Sequence, residues 1–292
     1  MISLSEANPI AAFLWLMMAA GIAMFLMNPI VLALSLAGAV LYLFARKPVA
    51  PGRFHLFYLA IFLLSAVMNP LFVHSGSTVL FVLNHNPVTL EALFYGLALG
   101  GMIVSTLYWF RSFQEVMTSD KLLYVFGSAL PKLTLILSIA LRYIPLLREQ
   151  AKRVRDAQRA LGLFREENAI DRLRGEMRIF SVLVTWVLEN GIITADSMAA
   201  RGYGTGRRTR FALFRFRGRD AAMCCACAAL SGVAIWAAAT GAMDCAFYPR
   251  FHLSAGEPLA AAGYACYALL AFAPGILELE ERFRWKALRS RA

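Results

Sequence analysis

Residues Ala221 to Ala239 read AAMCCACAALSGVAIWAAA, without a charge or a proline. As a helix at about 1.5 Å per residue, such a run approaches the ~30 Å thickness of bilayer hydrocarbon. A second uninterrupted run, Val31 to Phe44, reads VLALSLAGAVLYLF. A soluble chain of 292 residues buries a large core, but not with runs of this kind. The whole chain agrees: 60% of its residues are hydrophobic and the mean hydropathy is +0.61, far above a soluble domain's share. The fold class that follows is an all-α integral membrane protein of about six transmembrane helices, with long helices outside the membrane.

Working outward from these runs gives the other spans. The first apolar segment runs from about Ile10 to Met27 and is broken by Asn28-Pro29. With the run from Ile30 to Phe44 it forms either a hairpin of two spans or one long broken segment. It has no basic leader region and no small-residue cleavage site, so it reads as a span and not a signal peptide. Arg46, Lys47 and Arg53, around Pro48 and Pro51, mark a cytoplasmic loop. A third span covers Phe54 to Met68 and is ended by Asn69-Pro70. The link from Leu71 to Thr89 has no Lys or Arg, which places it outside. It reads as a β-prone or re-entrant hairpin turning at Asn84-His85-Asn86-Pro87. A fourth span, Leu90 to Phe110, opens with Thr89 as N-cap and Glu91 in the positive first turn. Spans at Ala221 to Met243 and Leu259 to Leu277 follow, with a weakly charged link carrying Asp244, Arg250 and Glu257. The basic tail Arg282 to Arg291 is inside. Every loop charge is consistent with six spans and both ends cytoplasmic.

Between the two groups of spans lies a basic block, residues 111–219. It holds 20 of the 29 Lys+Arg and 10 of the 18 Asp+Glu, a formal +10 out of the chain's +11. A domain division follows: 1–110 an N-terminal membrane bundle, 111–219 a cytoplasmic helical platform, 220–292 the C-terminal spans and tail. The basic charge does not indicate nucleic acid, because it flanks apolar segments on one side of the membrane. Within the block, Leu122 to Leu147 is cut by Pro131-Lys132 and by Arg142 with Pro145, leaving Leu133 to Leu141 too short to cross. Arg148 to Leu163 is a charged helix. Leu147, Ala151, Val154 and Leu161 share one of its faces. Glu166-Glu167-Asn168 is a polar turn, and a third amphipathic helix spans Ile170 to Arg201. Its apolar centre, Ile179 to Leu188, is again too short to span.

Two helix-end phrases stand out: Ala157-Gln158-Arg159-Ala160-Leu161-Gly162 and Ser197-Met198-Ala199-Ala200-Arg201-Gly202-Tyr203-Gly204. Glycine just past a helix end is an ordinary C-cap, and a cation in the last turn suits the helix dipole. A functional reading adds the neighbours. Ala195, Ala199 and Ala200 are small enough for close approach, so Arg201 projects from a tip and offers five donors to a carboxylate-lined groove. The first tip has the same design with Leu161 in the projecting place. Arg153, Arg155 and Arg159 form a solvated face or meet anionic headgroups. Glu189, Asn190 and Asp196 are candidates to pair with the arginines of the other helix.

Other chemistries find little footing. Cys224, Cys225, Cys227 and Cys266 lie in apolar runs, and the CxxC spacing of Cys224 and Cys227 reads as small packing residues. Cys245 stands alone in a polar link. His55, His74, His85 and His252 are scattered, so no metal site is expected. No Walker A sequence occurs; Gly202 to Thr209 is glycine-rich but lacks the spacing. Glu91 and Asp220 lie at span ends, which argues against an ion-coupled transporter with mid-membrane ionisable groups. No cofactor and no catalytic residue is expected.

Three stretches carry a family resemblance. They are Asn69-Pro70-Leu71-Phe72 through Asn86-Pro87-Val88-Thr89-Leu90-Glu91-Ala92; Asp156-Ala157-Gln158 through Gly162; and Val184-Thr185-Trp186-x-x-Glu189-Asn190 through Ala195-Asp196-Ser197-Met198-Ala199-Ala200-Arg201-Gly202-Tyr203-Gly204. Over about residues 50 to 210 the chain resembles the transmembrane T component of energy-coupling factor transporters, which include the cobalt-transport permease subunits. The resemblance implies a non-catalytic subunit in a plasma-membrane importer for a vitamin or metal ion. It implies as partners two ABC-type ATPases and one small membrane substrate-binding S component, with two crossing coupling helices whose small-Arg-small tips sit in ATPase grooves. Ala200-Arg201-Gly202 matches the second tip. Ala160-Leu161-Gly162 departs from the first: either Arg159 reaches round, or that groove accepts an apolar tip. The competing reading is a self-contained membrane carrier or a membrane-embedded enzyme.

Overall fold

A computed structural model describes residues 4, 6–46, 52–73, 76–83, 86–127, 130–163, 169–206, 214–248, 251–254 and 257–289. The chain divides into two compact units, Met1–Val125 with Phe214–Ala292, and Phe126–Leu213.

The first unit begins with α1 (Pro9–Phe25) and α2 (Pro29–Arg46). Asn28-Pro29 separates them, so the first apolar region is two helices. Asn8 accepts from the Ile10 amide through its side chain, and Pro9 sits at the first helical position. Asn28 repeats the device for α2, accepting from the Ile30 amide at 2.9 Å. α3 (Gly52–Phe72) runs two residues past Pro70, and the Val73 amide still bonds to the Asn69 carbonyl. Asn69-Pro70 therefore does not end the helix. Pro70 lacks only its own donor, so the bond from Val73 back to Asn69 is intact.

The outer link folds as antiparallel β1 (Val79–Leu83) and β2 (Asn86–Thr89), with Val79 opposite Thr89 and Leu83 opposite Asn86. The Asn84-His85 half of the expected turn lies outside the described residues, as do the cytoplasmic-loop residues Lys47, Pro48 and Pro51, and Arg250. α4 (Leu90–Val116) starts on Thr89, whose hydroxyl accepts from the Ala92 amide. α5 (Ser119–Gly127) follows.

The second unit holds α6 (Pro131–Ala160) and α7 (Ala169–Ala200). The first unit resumes with α8 (Gly218–Ala239), the short pair β3 (Cys245–Ala246) and β4 (His252–Leu253), and α9 (Pro258–Arg289).

In the first unit α3 packs on α4, α2 on α9 and α4, α8 on α9, and α1 on α4 and α8. Small residues set the spacing. At Gly38 an added Cβ would lie 2.7 Å from the Ala271 carbonyl oxygen, and at Gly100 3.0 Å from the Phe62 carbonyl oxygen. Without a hydrophobic drive between helices in lipid, such close backbone approach supplies dispersion instead. Polar clamps fix the layers. The Trp15 indole donates to the Leu270 carbonyl at 2.9 Å, the Tyr267 hydroxyl to the Ala19 carbonyl at 3.1 Å, and the Trp109 indole to the Ser35 hydroxyl at 2.9 Å.

The loop sides inferred from charge meet in space. Arg46 pairs with Glu278 at 3.6 Å, and Arg282 donates to the Phe44 and Ala45 carbonyls, so two regions assigned inside lie together. The Asn28 turn donates to the Met243 carbonyl and bonds the Tyr264 hydroxyl, joining the opposite ends of the same helices.

Six described helices are long and apolar enough to cross a membrane, and their membership differs from the sequence reading. α7 qualifies by length and composition, whereas α1, with 17 residues, is shorter than the rest. By hydropathy alone the apolar centre of α7 ends at Leu188, before Glu189-Asn190. The helix passes these two polar residues and gains Ile192 and Ile193 beyond them. A single carboxylate in a helix interior interrupts a hydropathy run but breaks no backbone hydrogen bond.

Candidate functional site

α6 begins with Pro131 at its first position and keeps Pro145 in its interior. The expected cut at Pro145 is absent, so the apolar half and the charged half are one 30-residue rod. α7 is a second rod of 32 residues. Two sets of contacts hold them side by side. Near the middle, the Tyr143 hydroxyl donates to the Asn190 carbonyl at 3.3 Å and shares a hydrogen with the Thr194 hydroxyl at 3.0 Å. The Tyr143 ring stands edge-on to Trp186, with centroids 6.5 Å apart. Further along, Arg155 Nη2 donates to both carboxylate oxygens of Glu176 at 2.9 Å.

The cross-helix ion pair thus falls on Glu176, and not on Glu189 or Asp196, which are exposed. Asn190 takes part through its carbonyl, while its side chain donates to the Trp186 carbonyl at 2.7 Å. Tyr143, Arg155 and Glu176 could have been found from sequence only by taking α6 and α7 as an antiparallel pair about residues 164–168. Arg155 and Glu176 then stand at matching distances from the turn. That turn, Glu166-Glu167-Asn168, lies outside the described residues.

The contact order is antiparallel: Tyr143 meets Asn190 and Arg155 meets Glu176. The C-terminal ends of the two rods therefore point in opposite directions. Along straight helices at 1.5 Å per residue they are separated by about 40 Å.

Both ends close in the same way. At the α6 end the Gly162 amide bonds to the Arg159 carbonyl and the Leu163 amide to the Gln158 carbonyl, both at 3.0 Å. At the α7 end the Gly202 amide bonds to the Ala199 carbonyl at 2.9 Å and the Tyr203 amide to the Met198 carbonyl at 3.0 Å. This pair of bonds, with a left-handed glycine, is a Schellman cap. The glycines have φ of +66° and +79°. The register is fixed by these bonds: Leu161 stands where Arg201 stands, Ala160 where Ala200 stands, and Arg159 where Ala199 stands.

All of Arg159, Ala160, Leu161, Gly162, Ala200, Arg201 and Gly202 are exposed. Leu161 is 72% exposed. It does not join the face of Leu147, Ala151 and Val154, as the helical spacing suggested. Gln158, 7% exposed, continues that face, whereas Leu161 stands exposed at the end of the rod. Chemically, one tip offers a guanidinium fork suited to a carboxylate, and the other an uncharged branched side chain.

Along α7, Ile170, Leu173, Met177, Phe180, Leu188 and Ile192 are exposed at helical spacing. This leaves a long apolar stripe beside the two capped ends. Among the described residues no group of three His, Cys, Asp or Glu is placed to hold a metal ion. The five cysteines are free thiols.

A family profile described as cobalt transport protein matches residues 2–211. The chain belongs to the cobalt transport protein family. It is a multi-pass membrane protein. It is similar to the energy-coupling factor transporter transmembrane protein of Listeria innocua, with 36% identity over 107 residues, 36% of this chain and 40% of that one. The corresponding Lacticaseibacillus paracasei protein is 34% identical over 91 residues, 30% and 34% of the two chains. A Listeria monocytogenes protein of the same description is 35% identical over 95 residues, 32% and 36% of the two chains. The matched segments span about a third to two fifths of these relatives' own lengths.

Proposed function

We propose that this chain is the membrane coupling subunit of an energy-coupling factor importer. It transmits motion from two ABC-type ATPases to a small membrane S component that carries a vitamin or a metal ion. The supporting observation is the pair of matched caps at opposite ends of two clamped rods. Such an object suits simultaneous contact with two similar partners some tens of ångströms apart. The names of the relatives, all transmembrane proteins of such transporters, point the same way.

The division of labour follows from chemistry. Arg201, between Ala200 and Gly202, seats its guanidinium in a carboxylate-bearing groove of one ATPase. Leu161, between Ala160 and Gly162, seats in a groove of the other, with Arg159 at its side. The block 111–219 is the cytoplasmic coupling domain, because its charge is +10 and basic loops stay inside. The apolar stripe of α7 meets the S component or lipid acyl chains. The subunit itself is non-catalytic: hydrolysis belongs to the ATPases and cargo binding to the S component.

The test is charge reversal at the exposed tip. Arg201→Glu leaves the chain in the membrane and monodisperse in detergent, and abolishes co-purification of ABC-type ATPases. Undiminished recovery of both ATPases with Arg201→Glu overturns the assignment. Substrate uptake by liposomes holding this chain alone supports the carrier reading instead.

A further inference from the structure

A cavity at the charged ends of α2 and α9 is lined by side chains of both signs. Glu6, Arg46, Glu278, Glu281, Arg282 and Trp285 surround about 200 Å³. At ~30 Å³ per water this is room for several waters or one small polar group. Drug-sized ligands fill ~300–1,000 Å³, so the space suits a headgroup and not a larger molecule.

The contacts within the cavity leave charge unanswered. Arg46 Nε stands 3.6 Å from Glu278 Oε1, and Arg282 Nη1 donates to the Phe44 and Ala45 carbonyls. Arg46 Nη1, Glu278 Oε2 and Glu281 Oε2 are buried atoms with no hydrogen-bond partner among the described residues. The Tyr42 hydroxyl is a fourth such atom, on a side chain that is 0% exposed, and Arg46 and Glu278 are charged groups beside it. Buried ionised groups without partners are costly. The cavity therefore holds a guanidinium donor and two carboxylate acceptors that a ligand would satisfy.

The charge balance decides between ligand classes. Among the described residues no three His, Cys, Asp or Glu are grouped to hold a metal ion, so the carboxylates are not a cation cage. Three carboxylates outnumber two guanidinium groups, and a purely anionic group would add to that excess. A fitting ligand carries an anion for Arg46 and N–H donors for Glu278 and Glu281. A choline group has the charge but no N–H. The position supplies the source. Arg46 is the last residue of α2, and Glu278 to Trp285 lie near the end of α9, on the side that loop charge assigns to the cytoplasm. Trp285, 59% exposed, is a residue type enriched at headgroup depth. We propose that this cavity binds the headgroup of an aminophospholipid of the cytoplasmic leaflet, a phosphate joined to a primary ammonium. The phosphate meets Arg46 Nη1, and the ammonium meets the Glu278 and Glu281 carboxylates. Bound there, it ties Glu6, α2 and α9 together at their cytoplasmic ends. The site stands apart from the coupling-subunit reading, and ATPase recovery does not bear on it.

The test uses the full-length chain, purified in detergent and stripped of lipid. It is titrated with phosphatidylethanolamine, its N-methyl and N,N-dimethyl forms, phosphatidylcholine and phosphatidylglycerol, all with the same acyl chains, and bound lipid is counted by native mass spectrometry. One phosphatidylethanolamine binds in preference to phosphatidylcholine, and affinity falls stepwise as methyl groups replace N–H. Glu281→Gln weakens phosphatidylethanolamine about tenfold, the loss of one hydrogen bond to a charged group, and leaves phosphatidylcholine unchanged. The headgroup series is read on the wild-type chain, so it decides even if Glu281→Gln does not fold. Equal binding of phosphatidylethanolamine and phosphatidylcholine overturns the proposal and leaves a hydrated cavity only. Preference for phosphatidylglycerol overturns it in favour of an anion site. An unchanged preference in folded Glu281→Gln places the lipid elsewhere and overturns it too. Free phosphoethanolamine does not displace the lipid at equal concentration; displacement would assign the cavity to a soluble ligand and overturn the lipid source.

Discussion

Arg155 and Glu176 join α6 to α7 through a single guanidinium nitrogen that donates to both carboxylate oxygens at 2.9 Å. The side chains are 37% and 39% exposed, so solvent screens the pair and its contribution to stability is about 0–1 kcal/mol. Glu176→Ala therefore lowers the Tm of the detergent-solubilised chain by no more than about 2–4 °C. The exchanged pair Arg155→Glu with Glu176→Arg recovers most of it. Thermal unfolding at low and high salt checks the account. A loss that persists unchanged in high salt contradicts an ionic origin.

The caps give a larger effect from a smaller change. Gly202 holds φ at +79°, and a Cβ there would also meet the Thr205 hydroxyl at 3.2 Å. A non-glycine residue in the left-handed region costs about 1–2 kcal/mol. Gly202→Ala therefore frays the end that carries Arg201, and under the coupling-subunit proposal ATPase recovery falls several-fold while membrane insertion is unchanged. Gly162, at φ +66° with open space around it, accepts asparagine, which tolerates this conformation. Recovery with Gly162→Asn close to wild type, and Gly162→Val well below it, is the expected pattern in a quantitative pull-down.

Backbone contact between α2 and α9 is equally specific. A Cβ on Gly38 would lie 2.7, 2.8 and 2.9 Å from three atoms of Ala271, two of them backbone. Neither helix can yield by a rotamer change, so Gly38→Ala overpacks the interface at a cost of about 1–3 kcal/mol. Gly21 on α1 has nothing within 4 Å of its would-be Cβ. Gly21→Ala is neutral or stabilising by up to about 1 kcal/mol through helix propensity. Heating both variants in detergent and following the monodisperse peak by size-exclusion chromatography separates the two outcomes.

These positions also mark how far sequence reading carries. Asn28-Pro29 announced a break between two helices because proline suits a helix start and asparagine caps it. The glycines at 162 and 202 announced helix ends for the reason the caps display. The run through Glu189-Asn190 was misjudged because hydropathy sees a carboxylate as an end, whereas a helix ends when its backbone bonds do. Pro145 hides continuity in the same sense: a proline costs one hydrogen bond, and a 30-residue helix clamped by Tyr143 and Arg155 absorbs that loss. Which carboxylate Arg155 meets was not legible, because pairing between rods depends on a register that neither rod carries alone.

Glu91 gives the last prediction. It is 3% exposed and gathers the Ser77 amide at 3.3 Å, the Ser77 hydroxyl at 3.0 Å and the Thr78 amide at 3.2 Å. Gly76 permits this cradle, since a Cβ there would sit 2.6 Å from the Glu91 carboxylate. Glu91 thereby ties the start of the outer hairpin to the first turn of α4. Glu91→Ala leaves these donors without their acceptor, at a cost of about 1–3 kcal/mol. The local opening of the hairpin becomes correspondingly easier. Amide hydrogen exchange at Ser77 and Thr78 accelerates about tenfold or more, at 1.4 kcal/mol per decade, while the middle of α4 keeps its protection. Gln at this position keeps one acceptor oxygen and falls between the two. Unchanged exchange in Glu91→Ala shows that the strand pairing of Val79 with Thr89 suffices to hold the link, and that the carboxylate is not what fastens it.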